Sequence, residues 1–168
     1  MAADNVLKNF NLFVDGRGYA GNVDEYNPPD LTLVTEDHRA GGMDAPIRLD
    51  MGMEALEASF VLSDYDPDVL ALFGVAEGNS VPFTARGALE SYDGTVTAVV
   101  HNMQGKITSL ARGTWTPGSK ATLTVTIALK YYKETHGDTV IHEIDIENMV
   151  RTVNGTDRLA EIREALGI

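Results

Sequence analysis

The residues best suited to chemistry are four histidines, two of which lie close to acidic residues in the segment HGDTVIHE. Imidazole and carboxylate groups bind metals and transfer protons, so this spacing raises the question of a metal or catalytic centre. If a tight turn joins two strands here, His136 pairs with Thr139, and His142 falls opposite Lys133. That register places His142 too far along the ladder to share a metal with His136. We therefore predict a structural or surface role for the histidines and no metal or cofactor site.

Glycine motifs are the second chemical signal, because glycine-rich turns cradle phosphates in nucleotide-binding proteins. Residues 16–21, GRGYAG, match the G-x-G-x-x-G pattern, and Asp37 lies at the distance typical of a ribose-binding acid. The segment YAGNVDEYNPP lacks helical periodicity and ends in paired prolines, so the pattern has no helix N-terminus beneath it. Neither Gly105-Lys106 nor Gly118-Ser119-Lys120 completes a Walker sequence, and the sequence has no G-x-S-x-G serine elbow. We interpret these glycines, and Gly41-Gly42, as turns.

Charge and composition restrict the class of protein. The 168-residue chain has no cysteine, which removes disulfides, thiol nucleophiles and thiolate metal sites. Its net charge is −12, and residues 1–70, with 14 acidic and 4 basic residues, account for −10 of it. Such a field repels phosphates and disfavours a tight nucleic-acid binder. The first residues do not resemble a secretion signal, and no apolar run would span a bilayer. We expect one domain, residues 1–168, folded in a cytoplasm without membrane insertion.

Turn residues and hydrophobic periodicity divide the first half of the chain into short elements. NLFVDGRGYAGNVDE is typical of two strands joined at Gly16-Arg17-Gly18, and LTLVTEDHR is typical of a strand that runs into Gly41-Gly42. MEALEASFVL, residues 53–62, fits both helical and strand spacing, and periodicity does not decide between them. DPDVLALFG predicts a short helix with Asp66 as its cap, proline at its first position and Gly74 where the chain leaves it.

The second half of the chain is rich in strand-forming residues. TLTVTIALKYY, residues 122–132, shows the clearest alternation between an apolar and a polar face, which indicates an antiparallel sheet. The apolar face consists of Leu123, Val125, Ile127, Leu129 and Tyr131. The last segment predicts a helix from about Thr156 to Leu166, with Thr156 as its cap and Gly167 as its stop.

A family resemblance is carried by four segments, NLFVDGRGYAG, EDHRAGGMDAPIRLDMGMEALEASF, YDPDVLALFG and LKYYKETHGDTVIHEIDIENMVRTVNGTDRLAEIREALG. In this order and without a large insertion, they resemble the major tail tube protein of contractile-tailed bacteriophages and of the phage-derived R-type pyocins. The similarity runs from about Leu7 to the C-terminus. RAGGMDAP, the following DMGME, and the pattern of Asn154, Gly155, Asp157 and Leu159 are more specific than the glycine motifs considered above.

The resemblance implies a structural protein without catalysis. It implies a mainly β fold, a barrel or sandwich of antiparallel strands with long hairpins, plus one short internal helix and a C-terminal helix. MEALEASFVL then becomes a strand. Members associate into homohexameric rings, which stack as a hollow tube inside a contractile sheath. Two long hairpins per subunit would join those of the neighbouring subunits, so that a closed sheet lines the lumen.

The resemblance also implies partners and a location. The partners are further copies of the chain, the sheath protein, and the baseplate, tape measure and tail terminator proteins. DNA would be passing cargo only. The location would be the tail of a virion, or a tail-like particle, assembled in the cytoplasm of the bacterial host.

Subunit contacts are implied for the glycine-rich segment between strands, because family members use it in subunit or ring contacts. Methionine adapts to irregular apolar surfaces, which suits such a contact. The interface residues expected on this basis are Ala40, Gly41, Gly42, Met43, Asp44, Ala45, Pro46, Met51 and Met53.

An acidic tube lumen is a further expectation. A lumen that passes DNA must not hold it, and part of the acidic N-terminal region lines the lumen in the family. The candidates are Glu36, Asp37, Glu54 and Glu57, although strand alternation lets only some of them face inward. The opposite arrangement places these acids outside the tube, where they would attract a basic sheath surface.

Two alternatives stay open at the level of sequence. A type VI secretion-like or other injection-system tube protein shares the tube architecture and differs in its partners. An unassembled β-domain with a small-molecule pocket belongs to another class. Electron microscopy of the purified protein separates the second alternative, because only a tube former gives rings or rods.

Overall fold

The computed structural model describes residues 3–168 as a curled antiparallel sheet with a separate hairpin and two helices. The first six strands are β1 (Val6–Val14), β2 (Arg17–Gly18), β3 (Val23–Asn27), β4 (Leu33–His38), β5 (Ile47–Met53) and β6 (Leu56–Leu62). The last six are β7 (Val81–Glu90), β8 (Val96–Ala111), β9 (Leu123–His136), β10 (Thr139–Asp145), β11 (Val150–Val153) and β12 (Thr156–Asp157). The helices are α1 (Pro67–Leu70) and α2 (Ala160–Leu166). The predicted mainly antiparallel fold with one short internal and one C-terminal helix is confirmed.

The main sheet has ten strands, and β9 lies at its centre. Eight of them follow the order β12-β11-β10-β9-β8-β7-β1-β2, while β6 pairs with β9 and β3 pairs with β6. One edge of β9 pairs with β8 along most of its length. The opposite edge is divided, because β6 pairs with Leu123–Leu129 and β10 pairs with Tyr131–His136. Strand β6 lies in the segment whose spacing fitted both a helix and a strand, and its alternating burial now identifies it as a strand.

The core lies inside the curl of this sheet. The ring centroids of Phe60 on β6 and Phe83 on β7 are 6.3 Å apart, although two strands lie between β6 and β7 in the sheet order. Tyr26 on β3 likewise reaches Met103 on β8. Apolar side chains from both sides of the curl therefore fill one interior. Within residues 3–168 the hydrogen-bonded ladder does not close into a continuous barrel.

The predicted alternation along β9 holds up to Leu129 and fails beyond it. Its buried residues are Leu123, Val125, Ile127, Leu129 and Tyr132, so Tyr132 takes the core position predicted for Tyr131. The pairing with β8 changes register at this point, because Gln104 lies opposite Tyr131 and the next residue of β8 lies opposite Leu129. Lys130 is therefore one extra residue on β9. A β-bulge of this kind reverses which side chains face the core.

The predicted turn and first helix lie close to the expected positions. The hairpin turn consists of Asp15 and Gly16, both with positive φ (49° and 79°), so the joint lies one residue before the predicted one. Asp66 caps α1, since its carboxylate accepts a hydrogen bond from the backbone N–H of Asp68 at 2.8 Å. Gly74 has a φ of 67°, as suits a residue where the chain turns away.

The C-terminal helix is shorter than predicted. Thr156 is not its cap but pairs in β12 with Val153 of β11, and α2 begins at Ala160. The carboxylate of Asp157 accepts from the backbone N–H of Leu159 at 3.0 Å, which ends the strand just before the helix. Gly167 ends α2 in the left-handed conformation, as predicted. Neither helix is long and apolar enough to cross a membrane, for the residues that the structure describes.

Candidate assembly interface

The segment RAGGMDAP forms the tip of the hairpin between β4 and β5, which pair with each other and with no other strand among residues 3–168. The tip begins with a turn in which the N–H of Met43 donates to the carbonyl oxygen of Ala40 at 3.2 Å. Gly42 has a φ of 86° in this turn, a conformation that glycine adopts without strain. Met43 is half-buried, and the rest of the predicted segment Ala40–Pro46 is exposed. The glycine segment is therefore an exposed connection between strands, as the sequence suggested.

Register divides the side chains of the hairpin between two faces. Glu36 lies opposite Leu49, and Asp37 lies opposite Arg48. Directly opposed residues share a face and successive residues alternate between faces, so these two pairs lie on opposite sides. The face of Leu49 also carries the apolar residues Val34 and Ile47, together with the polar residues Glu36 and His38, so it is the more apolar of the two faces. The other face is polar and carries Thr35, Asp37, Arg48 and Asp50.

The polar face is turned toward the main sheet at Asp50. A terminal guanidinium nitrogen of Arg151 on β11 donates to Asp50 Oδ2 at 2.6 Å. The hydrogen bond from Arg151 and a second one from the backbone N–H of Gly52 hold the pKa of Asp50 below its ordinary value. Asp50, Arg151 and Met53 line a cleft of about 350 Å³ between the hairpin and the main sheet. The apolar face therefore points away from the rest of the subunit.

The apolar face is uncovered. Val34 is 43% exposed, Ile47 51%, Leu49 42% and Met51 58%. Single exposed apolar residues are common on protein surfaces, but a contiguous set on one strand pair is typical of a protein–protein contact. Met53, which the sequence grouped with these residues, is half-buried and packs against the core. It anchors the base of the hairpin in the subunit.

The four lumen candidates do not share one surface. Glu36 and Asp37 lie on opposite faces of the hairpin, and Asp37 forms an exposed ion pair with Arg48 at 3.5 Å. Glu54 lies at the base, where its backbone N–H donates to the carbonyl oxygen of Thr32 at 2.9 Å. Glu57 lies on β6 among alternating buried residues, with its side chain exposed. Whether any of them lines a lumen stays a prediction.

Sequence reasoning missed a cluster of titratable groups around Glu134. His136 Nε2 lies 2.7 Å from Glu134 Oε1, and His142 Nδ1 lies 3.4 Å from Oε2. His101 Nε2 on β8 lies 3.7 Å from Oε1, and the hydroxyl of Tyr132 donates to Oε2 at 3.0 Å. Three histidines from three neighbouring strands therefore share one carboxylate.

The missed cluster follows from an error in the predicted register. His136 does pair with Thr139, but His142 lies opposite Glu134 rather than Lys133, because the β9–β10 pairing shifts between Val140 and His142. A detectable signal was the i, i+2, i+4 spacing of Tyr132, Glu134 and His136, which places all three on one face of a strand. For the part of the chain described, no group of three or more such side chains has a geometry that holds a metal ion.

Burial sets the electrostatics of this cluster. It lowers the pKa of His101 below its ordinary value, and attraction to Glu134 offsets this only in part. Burial alone would raise the pKa of Glu134, but hydrogen bonds from His136 and Tyr132 outweigh it, so that this pKa lies below its ordinary value. The carboxylate is therefore charged and the His101 ring neutral near pH 7. The cluster therefore links β8, β9 and β10 through the polar contacts of Glu134.

The same fold occurs in contractile injection systems. One similar structure is a chain from the PVC sheath–tube complex of an extracellular contractile injection system in the extended state. It has a TM-score of 0.57 and 13% identity, and the match covers 75% of this chain and 87% of that chain. A chain of the anti-feeding prophage (AFP) baseplate has a TM-score of 0.54 and 13% identity, with 80% and 97% coverage. The fold is thus shared with components of such machines.

Sequence comparison assigns the family. The family model for phage tail tube protein FII matches residues 4–167. The chain is 28% identical over 172 residues to the tail tube protein of Escherichia phage P2, with 100% of both chains covered. It is 30% identical over 172 residues to the major tail tube protein of Serratia phage KSP20, covering 100% of this chain and 99% of the relative. The chain belongs to the phage tail tube protein FII family, and it is a structural subunit of a tail tube. The resemblance seen in the sequence is confirmed.

Proposed function

We propose that the chain associates into homohexameric rings that stack as the inner tube of a contractile tail. The observation that carries this proposal is the uncovered apolar face of the β4–β5 hairpin, which includes Val34, Ile47, Leu49 and Met51. In this proposal a neighbouring copy of the chain covers that face. The tip Ala40–Pro46 adds an adaptable contact, since it combines glycine turns with Met43.

A second copy is the occupant that best suits this surface. Membership of the tail tube family requires each subunit to contact its own copies repeatedly, and the hairpin projects its apolar face away from its own sheet. Burying one side chain of the size of leucine contributes about 1.5–3 kcal/mol. Several such contacts, repeated around a ring, offset the loss of freedom that assembly imposes on each subunit.

The wider partners follow from the same proposal. The sheath would surround the tube, the baseplate would start it, the tail terminator would close it, and the tape measure protein would occupy it during assembly. Similarity of fold to chains from sheath–tube, tube terminator and baseplate structures supports these partners. DNA would pass through the lumen without being held, consistent with a chain of net charge −12. The particle would assemble in the bacterial cytoplasm.

A tube protein of another injection system is the second candidate. The similarity of fold to chains from the PVC and AFP particles favours it. The two phage relatives that match along the whole chain favour the phage tail instead. Capsid and terminase genes beside this gene would decide for the phage.

The test compares two substitutions at adjacent positions on opposite faces of the hairpin. Leu49→Gln places a polar group on the apolar face, and Arg48→Gln places the same side chain on the polar face. Both positions are exposed, so both variants should fold with a melting temperature close to that of the unmodified subunit. Loss of the leucine contact should raise the concentration needed for rings and tubes by about tenfold or more. Electron microscopy and sedimentation at a series of concentrations measure this.

The result is interpreted against the unmodified chain. Normal assembly of the Arg48→Gln variant with impaired assembly of the Leu49→Gln variant supports the proposal. Equal assembly of the two variants contradicts the role of the apolar face. An unmodified chain that stays monomeric at every concentration and salt, even with its baseplate present as a nucleus, contradicts the tube itself.

A further inference from the structure

We infer that Arg151 is a positioning residue for assembly, because its ion pair with Asp50 fixes the direction in which the β4–β5 hairpin presents its apolar face. The inference rests on the proposed function, since it concerns the same apolar face. Arg151 does not lie on that face, and it follows Asp50 by more than 100 positions in the sequence.

The hairpin has few other ties to the subunit. Every side chain of β4 is exposed, and on β5 only Met53 is half-buried. At the base, the N–H of Glu54 donates to the carbonyl oxygen of Thr32, which only extends the pairing of the hairpin, and Met53 packs against the core. Across residues 3–168, the Asp50–Arg151 contact is the only ion pair or side-chain hydrogen bond that joins β4 or β5 to the main sheet. Without it, the hairpin would be held only by its base.

Arg151 is itself held in place, unlike most arginines that form surface ion pairs. Its side chain is only 15% exposed. Its backbone lies in β11, and its N–H faces Asp157 Oδ1 at 3.4 Å. Asp157 Oδ2 in turn pairs with Arg163 of α2 at 2.6 Å, and Arg163 donates to the carbonyl oxygen of Met149 at 2.7 Å. Arg151 therefore connects the hairpin to a fixed corner formed by β11, β12 and α2.

The carboxylate of Asp50 is also held in a fixed orientation. Its Oδ1 accepts from the backbone N–H of Gly52 at 2.9 Å, and its Oδ2 accepts from Arg151. Gly52 has a φ of 114°, a backbone conformation that favours glycine. Both carboxylate oxygens thus accept a hydrogen bond, and this fixes the orientation of the carboxylate. A charge-assisted hydrogen bond between two such oriented groups is stronger than one between mobile surface chains.

The experiment measures the hairpin direction and assembly separately. The chain has no cysteine, so spin labels can be placed at Asp44→Cys on the hairpin tip and Asp138→Cys on the β9–β10 turn without removing native residues. Pulsed electron paramagnetic resonance on dilute subunits gives the distance between the labels. The variants are Arg151→Gln, Asp50→Asn and the exchanged pair Asp50→Arg with Arg151→Asp, and unlabelled chains of each variant are used for the assembly assay.

The matched control is Arg158→Gln. Arg158 lines the same cleft as Asp50 and Arg151, but no carboxylate in the described part of the chain lies within ion-pair distance of it. The control therefore removes the same positive charge from the same cleft and leaves the Asp50 contact intact. It separates the specific ion pair from a general effect of charge.

The expected result is a broadened or displaced distance distribution for Arg151→Gln and Asp50→Asn. Their assembly concentration should rise about tenfold, as expected for the loss of one charge-assisted hydrogen bond. The melting temperatures should fall by only a few degrees, because the lost contact lies within the subunit but outside its core. The exchanged pair should recover both the narrow distribution and most of the assembly, and Arg158→Gln should resemble the unmodified chain.

Two results overturn the inference. One is a distance distribution in Arg151→Gln that coincides with that of the unmodified subunit. The other is an assembly defect in Arg158→Gln as large as that in Arg151→Gln, with no recovery in the exchanged pair. If the unmodified chain does not assemble, the proposed function fails, and the distance measurement still decides whether Arg151 orients the hairpin.

Discussion

Gly105 of β8 lies so close to Ala128 of β9 that a Cβ atom on Gly105 would be 2.1 Å from the Ala128 carbonyl oxygen. The contact lies beside the bulge at Lys130, where the pairing between the two strands changes register. The obstructing atoms belong to the backbone, so a change of side-chain rotamer does not relieve the contact. Only glycine allows the two longest strands to approach each other here.

Gly105→Ala should therefore destabilise the subunit. We expect the free energy of unfolding to fall by about 1–3 kcal/mol or more, because the strands must separate to admit the methyl group. Gly41→Ala is the control, since a Cβ atom on Gly41 meets nothing within 4 Å. Urea denaturation of both variants measures the difference. Equal stability of the two would mean that the register between β8 and β9 is wrong.

Val125→Asp tests the face assignment of β9. Val125 is fully buried, so an unpaired carboxylate there should cost several kcal/mol and abolish folding. Thr124→Asp, on the opposite face, should be much milder in the free subunit because Thr124 is only half-buried. The yield of soluble protein and the circular dichroism spectrum report both effects. Similar losses in both variants would refute the assigned faces.

Acid should destabilise the subunit through His101 and Glu134. The pKa of His101 in the fold lies below its ordinary value of 6.5, so as the pH falls the unfolded chain takes up this proton first, and stability decreases. The pKa of Glu134 lies below its ordinary value of 4.5, so its contribution is present above that pH and is lost as the pH falls through the folded pKa. Both groups therefore act in the same direction, in successive pH ranges.

The check is the free energy of unfolding measured by denaturant between about pH 7 and pH 3. His101→Gln should flatten the upper part of the pH dependence, because the group that differs between the folded and unfolded states is removed. His38→Gln is the matched control, since it removes an imidazole from the exposed hairpin and leaves the cluster intact. Stability that is constant or rises on acidification would contradict the assignment.

An acidic inner wall stays a prediction for the assembled tube. The register of the hairpin reduces the number of acidic residues that can line it. Glu36 and Asp37 lie on opposite faces, and Glu36 shares the face of Leu49 that a neighbouring copy is proposed to cover, so of these two only Asp37 is available to face a lumen. Lysine at the inward position should leave tubes intact and slow DNA release from a phage, because each added cation attracts phosphate. Lysine at the outward position should leave DNA release unchanged. The structure of the assembled tube and ejection rates measure this, and a neutral or basic inner wall would contradict it.

The sequence predicted the elements of this fold better than their register. Alternation identified Leu123 to Leu129 as a core strand, and turn residues located α1 and the stop of α2 at Gly167. Periodicity assumes that every residue advances the ladder by one step, so the extra residue at Lys130 reversed the prediction for Tyr131. The irregularity beside His142 hid the Glu134 cluster in the same way.

The candidate segment is an exposed connection between strands, as predicted, but the sequence did not assign the two faces of its hairpin. The residue types of β4 and β5 do not tell which face turns toward the main sheet. That depends on Arg151, a distant residue whose pairing with Asp50 follows from the folded chain and from no local pattern. Met53 was grouped with the exposed methionine Met51 for the same reason, although it packs against the core.

The position of Arg151 near the end of the chain has a consequence during synthesis. Ribosomes release a chain from its N-terminus, so the hairpin emerges long before β11, and closing a contact over so many residues is slow. A nascent or truncated chain would therefore expose the apolar face of β4 and β5 before Arg151 fixes the direction of the hairpin. We expect that only subunits translated almost to the last helix join a growing tail, so that incomplete chains are not built into it.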